Sequence, residues 1–429
     1  MPKIAAVILS ALLLFFASAA LPAPAKKAAK AKSEPAVTEI EFAHQLDQRN
    51  AERLAALVER FNREQQEIVI RIVHAEAKGK PALLNLATPD TIATFITRKA
   101  AYKPISRLLK ETKEKLPSGD FSPDLFSALA RKNLTALPVA FSTPVLFYNK
   151  RMFREAGLDP ERAPRTWREM QETAGRLLER GMACPYTSSW PVWIHIDNMS
   201  SVSNAPVADA KGKLVFNGLA QVKHVAMLAS WRKSSYFHHF GRANEADARF
   251  HDGQCAMLTS DAWANSFLRE APGLELGVAA FPYHDDLHGA PQHTLAAGAS
   301  LWVGGGYKAR EYKAAARFLR FLMQPETQAE LARAGGFLPL TNSVRQSIRA
   351  QLQKDEEAAF DIAYASLRGK GAEHPLRVSA LEQVRIIADE ELEQVWGGRK
   401  SAKAALDTAV RRGNAVLSAK PALRKAVLF

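Results

Sequence analysis

The sequence changes its hydrophobic period between Glu39 and Val73 in an order that restricts the fold more than any other feature. Glu39-Ile40-Glu41-Phe42 alternates apolar and polar residues, as a half-buried strand does. Leu54, Leu57, Val58 and Phe61 then repeat at three, four and seven residues, the spacing of one apolar helix face. Ile68-Val69-Ile70-Arg71-Ile72-Val73 is a β-branched run of the buried-strand type. Strand, helix, strand in that order requires a crossover, and crossovers join parallel strands. The chain is expected to open with a parallel sheet.

The same alternation continues. Leu137 to Tyr148 is extended and apolar, interrupted by Ser142-Thr143-Pro144. Thr166-Trp167-Arg168-Glu169 has the spacing of a capping box, so a helix is predicted from Thr166 to Gly181. Strands are predicted at Cys255-Ala256-Met257-Leu258-Thr259, after the Gly253 turn, and at Leu276 to Phe281, closed by Pro282. Helices follow over Glu311–Met323, Thr327–Ala334, Leu381–Trp396 and Ala402–Leu417. Strands alternating with helices predict an α/β fold. A length of 429 residues suits two domains or one large one.

The N-terminus reads as an export signal. Lys3 supplies the positive start, and Ile4 to Ala20 is almost unbroken apolar sequence centred on Leu12-Leu13-Leu14-Phe15-Phe16. Small residues follow at Ala17-Ser18-Ala19 and Ala23-Pro24-Ala25, either of which suits cleavage. Residues 1–24 are therefore expected to be a cleaved signal peptide, and 25–37 an Ala/Lys/Pro tether. No Cys stands directly after the apolar run, which argues against a lipid anchor.

Charge and motifs narrow the chemistry. Residues 1–37 hold +4 of the formal +14, so the remainder carries a moderate +10. That favours anionic ligands only weakly. No GxSxG elbow, P-loop, HExxH or GxGxxG is present. Gly304-Gly305-Gly306 is read as a turn. His238-His239 and the pair His195 and Asp197 carry metal-ligand and acid–base groups, but adjacent histidines point different ways on any element. No metal, cofactor or catalytic residue is expected. Cys184 and Cys255 would pair in an oxidising compartment if the fold brings them together, which their spacing does not decide. An export signal without a catalytic motif points to a binding protein.

Several stretches resemble the extracellular solute-binding proteins of bacterial ABC importers, with the likeness running from Thr38 to about Leu417. They include Ser142-Thr143-Pro144-Val145-Leu146-Phe147-Tyr148-Asn149-Lys150, Ala156-Gly157-Leu158-Asp159-Pro160 and Trp190-Pro191-Val192-Trp193-Ile194. Gly253-Gln254-Cys255-Ala256-Met257, Gly298-Ala299-Ser300-Leu301-Trp302-Val303, Gly336-Phe337-Leu338-Pro339 and Val384-Arg385-Ile386-Ile387-Ala388 belong to the same set. The tryptophan pair and the Arg385 segment are similar to the glycerol-phosphate branch in particular. The resemblance implies a two-lobed periplasmic-binding-protein fold of type II, with the ligand cleft between lobes joined by hinge segments. It implies one lobe from residues 38–142 and 285–338 and another from 143–284 and 339–429. It further implies a periplasmic monomer that delivers its ligand to the membrane permease of an importer, with no nucleic acid partner.

The resemblance also implies a ligand site. Trp190 and Trp193, three residues apart, would share a face of a helical turn and pack on a carbon skeleton. Ser142 would donate its hydroxyl, Gly298 would let backbone approach the ligand, and Arg385 would reach phosphate oxygens. Asp90 falls near a family Glu that binds hydroxyls. Three departures bear on the ligand. Between the second strand and Pro81 only His74 to Lys80 remain, where the family has a helix with a ligand-contacting Tyr. Asp261 stands where the branch has a phosphate-contacting Ser, and Phe337 replaces a Tyr. A carboxylate repels phosphate. The expected ligand is thus glycerol-3-phosphate or a glycerophosphodiester. The competing expectations are a neutral sugar or polyol, and a periplasmic enzyme acting on a glycerophosphodiester.

Overall fold

A computed structural model describes residues 37–46, 48–74, 80–87, 101–116, 135–290, 293–335, 338–351, 354–367 and 381–419. These belong to one compact unit, Val37–Phe429. Among them, eleven strands form two sheets.

The first sheet contains β1 (Thr38–His44), β2 (Ile68–His74), β3 (Leu84–Ala87), β4 (Tyr102–Lys103), β5 (Leu137–Ser142) and β11 (Ala297–Gly304). Its order is β2-β1-β3-β11-β4, with β5 also on β11. β1 runs parallel to β2 from Thr38 opposite Ile68 to His44 opposite His74. The expected opening crossover is therefore present, and the helix Gln48–Glu64 makes it. The end of that helix is tied to β2 by side chains. Asn62 bonds both the N–H and the C=O of Ile70, each at 3.0 Å. Gln65 does the same for Ile68. The helix buries Leu57, Val58 and Phe61. Phe61 stands edge-on to Phe318 and Phe321, both on the helix Ala309–Leu322, at 5.1 Å between ring centres.

The second sheet contains β6 (Pro144–Asn149), β7 (Tyr186–Ser188), β8 (Phe237–His238), β9 (Met257–Asp261) and β10 (Leu276–Ala280), in the order β10-β6-β9-β7-β8. Its core centres on Trp167, whose ring lies 4.7 Å from His224 and 5.7 Å from Phe281. The capping box forms as predicted: the Thr166 hydroxyl accepts from the Glu169 N–H and the Glu169 carboxylate accepts from the Thr166 N–H. The helix Trp167–Glu179 follows, with Gly181 beyond it at φ +86. The C-terminal helices Leu381–Trp396 and Ala402–Ala419 pack on the same core through Val384, Leu392, Leu406 and Ala409. Cys184 and Cys255 form a disulfide.

Two expectations shift. β9 begins at Met257 rather than Cys255. Its partner β6 ends at Asn149, which turns away as the cap of the helix Lys150–Glu155, so Cys255 and Ala256 only lead into the ladder. The Ser142-Thr143-Pro144 interruption is sharper than a bend: Thr143 alone separates β5 of one sheet from β6 of the other. No helix of the described residues is long and apolar enough to cross a membrane. Residues 1–36 lie outside the described residues.

Candidate functional site

Strands from both sheets end around one cavity of about 850 Å³. The first sheet brings Gln45 and Leu46, just past β1, with Ser142 at the end of β5 and Gly298 near the start of β11. The second brings Asp261, the last residue of β9, and Trp190, two residues past β7. Carboxyl ends of strands leave room for a ligand because the chain turns away there.

Six of the residues singled out from sequence line this cavity together: Ser142, Trp190, Trp193, Asp261, Gly298 and Arg385. Asp90 and Phe337 lie outside the described residues. The tryptophans do not share a helical turn. Trp190 has φ +50 and precedes the helix, whereas Trp193 starts a π-helical stretch, Trp193–Asn198. A left-handed backbone at a bulky residue costs energy and is held by its surroundings. Here the Trp190 N–H donates to Ala243 O at 2.8 Å and its C=O accepts from Ile194 N–H at 2.9 Å. The Trp190 Nε1 is buried with no hydrogen-bond partner, and Trp193 is 8% exposed.

Arg385 Nη2 donates to Asp197 Oδ2 at 3.1 Å, a contact in which the two side chains are 17% and 4% exposed. Asp197 belongs to the π-helical stretch, so one element supplies both an indole and the guanidinium's partner. His195, the neighbour of Asp197 by two, turns into the core. Its Nδ1 lies 3.0 Å from His224 Nε2, and His224 Nδ1 lies 3.0 Å from His284 Nε2. Burial depresses all three, His195 to about 3 and His284 to about 4. They are neutral imidazoles near neutral pH, and among the described residues no group of His, Cys, Asp and Glu is arranged to hold a metal ion.

Ser142 Oγ accepts from the Trp263 N–H at 3.3 Å, and Trp263 Nε1 donates to Phe141 O at 2.9 Å. Asp261 Oδ1 accepts from the Ala264 N–H at 3.2 Å, at the start of the helix Ala264–Leu268. Sequence reasoning missed Arg53, Arg242, Asp247 and Trp263. Trp263 follows Asp261 by two residues, which was a usable signal. Arg53 sits on the polar side of an ordinary surface helix, and nothing in its local pattern marks it. The cavity wall carries Arg53, Arg242 and Arg385 against Glu245, Asp247, Asp261, Glu382 and Asp389. A chain with a formal charge of +14 thus has a cleft whose carboxylates outnumber its cations.

The model of a family described as bacterial extracellular solute-binding protein matches residues 56–360. The sn-glycerol-3-phosphate-binding periplasmic protein UgpB of Pectobacterium atrosepticum is 35% identical, covering 89% of this chain and 92% of that protein. UgpB of Salmonella typhimurium is 34% identical over 89% of this chain and 93% of its own length. Among solved structures, UgpB from Mycobacterium tuberculosis in complex with glycerophosphocholine aligns with a TM-score of 0.72 at 17% identity, over 89% of this chain and 98% of that one. The substrate-binding protein Lmo0181 from Listeria monocytogenes, in complex with cycloalternan, reaches 0.74 at 17% identity, over 89% and 99%. These structures share the two-lobed α/β fold with the present one.

Proposed function

Because this chain belongs to the family of bacterial extracellular solute-binding proteins, we propose that it is the periplasmic binding component of an ABC importer whose ligand is sn-glycerol-3-phosphate or a glycerophosphodiester. The observation that carries this reading is the cavity at the strand ends, where Trp190, Trp193, Ser142, Gly298 and Arg385 converge. Indoles pack on a carbon skeleton, and a guanidinium suits phosphate oxygens. The curated relatives named for sn-glycerol-3-phosphate support the ligand class.

Within that class the charge of the wall favours the diester. A phosphate monoester brings nearly two negative charges, a diester one. Asp261 and the surrounding carboxylates oppose the second charge. A cavity of about 850 Å³ also has room for the alcohol on the far side of a diester. The acidic wall equally suits the hydroxyls of a neutral polyol, which is the second reading.

The mechanism is closure of two lobes, 38–142 with 285–338 and 143–284 with 339–429, about the Thr143 connection. The ligand biases the closed state by binding it better, and the importer's permease would receive that state from a monomer. Export would precede this, with cleavage between about Ala17 and Lys26. No covalent step is required, so glycerophosphocholine incubated with the protein, with or without EDTA, is expected to yield no product.

A thermal-shift and calorimetry panel of glycerol-3-phosphate, glycerophosphocholine, glycerophosphoglycerol and maltose tests the reading, since a ligand bound by the native state alone raises apparent stability. Stabilisation by the phosphodiesters is expected. A shift with maltose alone would overturn it.

A further inference from the structure

One carboxyl group in the cavity wall differs from the others in its burial. Asp247, on the helix Glu245–His251, lines the cavity and is only 6% exposed. The hydroxyl of Ser189, itself fully buried, donates to Asp247 Oδ1 at 2.6 Å. β7, β9 and the helix Ala264–Leu268 pack against its helix. β7 carries Tyr186, whose hydroxyl is held neutral by burial. β9 carries Asp261. The helix Ala264–Leu268 has no titratable side chain, and Arg269 follows it. Glu245, Arg249 and His251 lie on the helix of Asp247 itself. The cavity is also lined by Arg53, Arg242, Arg385, Glu382 and Asp389. Arg242 forks onto Glu393 with two bonds of 2.6 Å, and Arg385 bonds Asp197. Among the described residues no ion pair reaches Asp247.

We propose that Asp247 is a specificity-determining residue of this cleft, a carboxyl group that takes up a proton when an anionic ligand enters and so makes selection by ligand charge depend on pH. The proposal rests on the phosphate-ester reading. Asp247 and Asp261 line one cavity from packed elements, and two carboxyl groups in one wall, one of them buried, do not both ionise freely. Burial and then the Asp261 charge push Asp247 up to about 7, against the opposing pull of the Ser189 hydrogen bond. Near neutral pH the empty cleft is therefore a mixture of two charge states. Ionised, Asp247 accepts hydrogen bonds and repels phosphate. Protonated, it has one O–H to donate to a ligand oxygen and no charge. An entering phosphate favours the second form, and the proton is drawn from solvent. A ligand with a cationic or hydroxyl-bearing end at the same place favours the first.

Glycerol-3-phosphate titrates in this range itself, with a second phosphate pKa of ~6. Glycerophosphoglycerol, a phosphodiester with one fixed charge, is the proper probe. Calorimetry in buffers of differing ionisation enthalpy counts the protons taken up. The wild-type protein is expected to bind this monoanion about tenfold more tightly at pH 6 than at pH 8, the ratio for one proton gained. Asp247→Asn is expected to bind with equal affinity at both pH values. Ser189→Ala should move the midpoint of the pH profile upward, and Asp261→Asn should move it downward. Melting curves verify that each variant is folded, and if Asp247→Asn is not, the opposite shifts of the other two decide. The same pH profile in wild type, Ser189→Ala and Asp261→Asn, or a flat wild-type profile, would overturn the proposal alone. No binding of any phosphodiester at any pH would overturn the phosphate-ester reading and the proposal with it.

Discussion

The two sheets bury different kinds of chemistry. Around the first, the core is a contact of phenylalanines and aliphatic residues: Phe42 and Phe61 stand edge-on to Phe318, Phe61 also to Phe321, and the buried histidine described there is His44. Around the second, the core includes three histidines in line, a disulfide and a run of hydroxyls. Tyr186 and Thr259 oxygens are 2.7 Å apart, Thr259 donates to Ser188 Oγ at 3.0 Å, and Ser188 donates to Ser189 O at 3.1 Å. Each hydroxyl has one proton, so Tyr186 must donate to Thr259. This series ends beside Asp247 in the cavity wall. The apolar half offers the cleft Gln45, Leu46, Arg53, Ser142 and Gly298, whereas the polar half offers indoles and most of the charge. A buried hydrogen-bonded network restricts its members to few arrangements, which is what a recognition surface needs. An apolar core supplies stability with less orientation.

The contrast makes acid the largest expected perturbation. His195, His224 and His284 have folded pKa values below their unfolded value of 6.5. The unfolded chain then binds more protons, so their stabilisation is intact above pH 6.5 and is lost as pH falls toward 4. At pH 5.5 each costs on the order of 1.4 kcal/mol. Urea unfolding at pH 7 and pH 5.5 should show the loss, and His224→Gln should flatten it. An equal loss in that variant would place the sensitivity elsewhere, and the comparison between the halves would fail.

Removing the Cys184–Cys255 bridge comes next. It closes a loop with a sequence separation of 71, and chain-entropy arguments give about 4 kcal/mol for such a loop. In Cys184→Ala, hydrogen exchange should quicken in β7 and β9 and stay unchanged in β1 and β2. Uniform quickening would mean that the two halves unfold as one.

Trp190→Ala and Trp193→Ala test the recognition side. Each is expected to weaken ligand binding by about 1–3 kcal/mol, by analogy with other stacking contacts. Trp193, in the core cluster as well as the cavity, should also lower the melting temperature, and Trp190 much less. The smallest expected effect is that of Asp261→Ser. Relief of roughly 1.4 kcal/mol of repulsion raises glycerol-3-phosphate affinity about tenfold, and affinity for a neutral polyol falls. Equal affinity for glycerol-3-phosphate in both forms, read by calorimetry, would turn Asp261 away from the phosphate.

Local patterns predicted the elements where local physics decides. The capping box at Thr166, the opening crossover and the helix Leu381–Trp396 follow from cap chemistry and periodicity. What sequence could not supply were features made by tertiary contact. The left-handed backbone of Trp190 is held in part by Ala243 O, which is distant in sequence and beyond the reach of a helical-wheel argument. Asp247 looks like any carboxylate on a short surface helix until Ser189 and Asp261 close around it. Arg385 finds Asp197 across 188 residues. Six of the residues chosen by resemblance do meet in one cavity, but their charge balance emerges only once Glu245, Asp247, Glu382 and Asp389 stand beside them.

The position of β11 dictates an order of assembly. β11 pairs with β3 on one edge and with β5 and β4 on the other, so it is the middle of the first sheet. Yet it is the last strand among the described residues, and the whole second sheet, from Pro144 to Ala280, precedes it. A growing polypeptide therefore has every strand of the second sheet available while the first is still two fragments, β2-β1-β3 on one side and unpaired β4 and β5 on the other. The half that is translated first is completed last. Chains generally fold from the N-terminus as they are made, and here topology reverses that sequence: until Gly304 has emerged, the early strands wait with open edges, and a single late segment seals both.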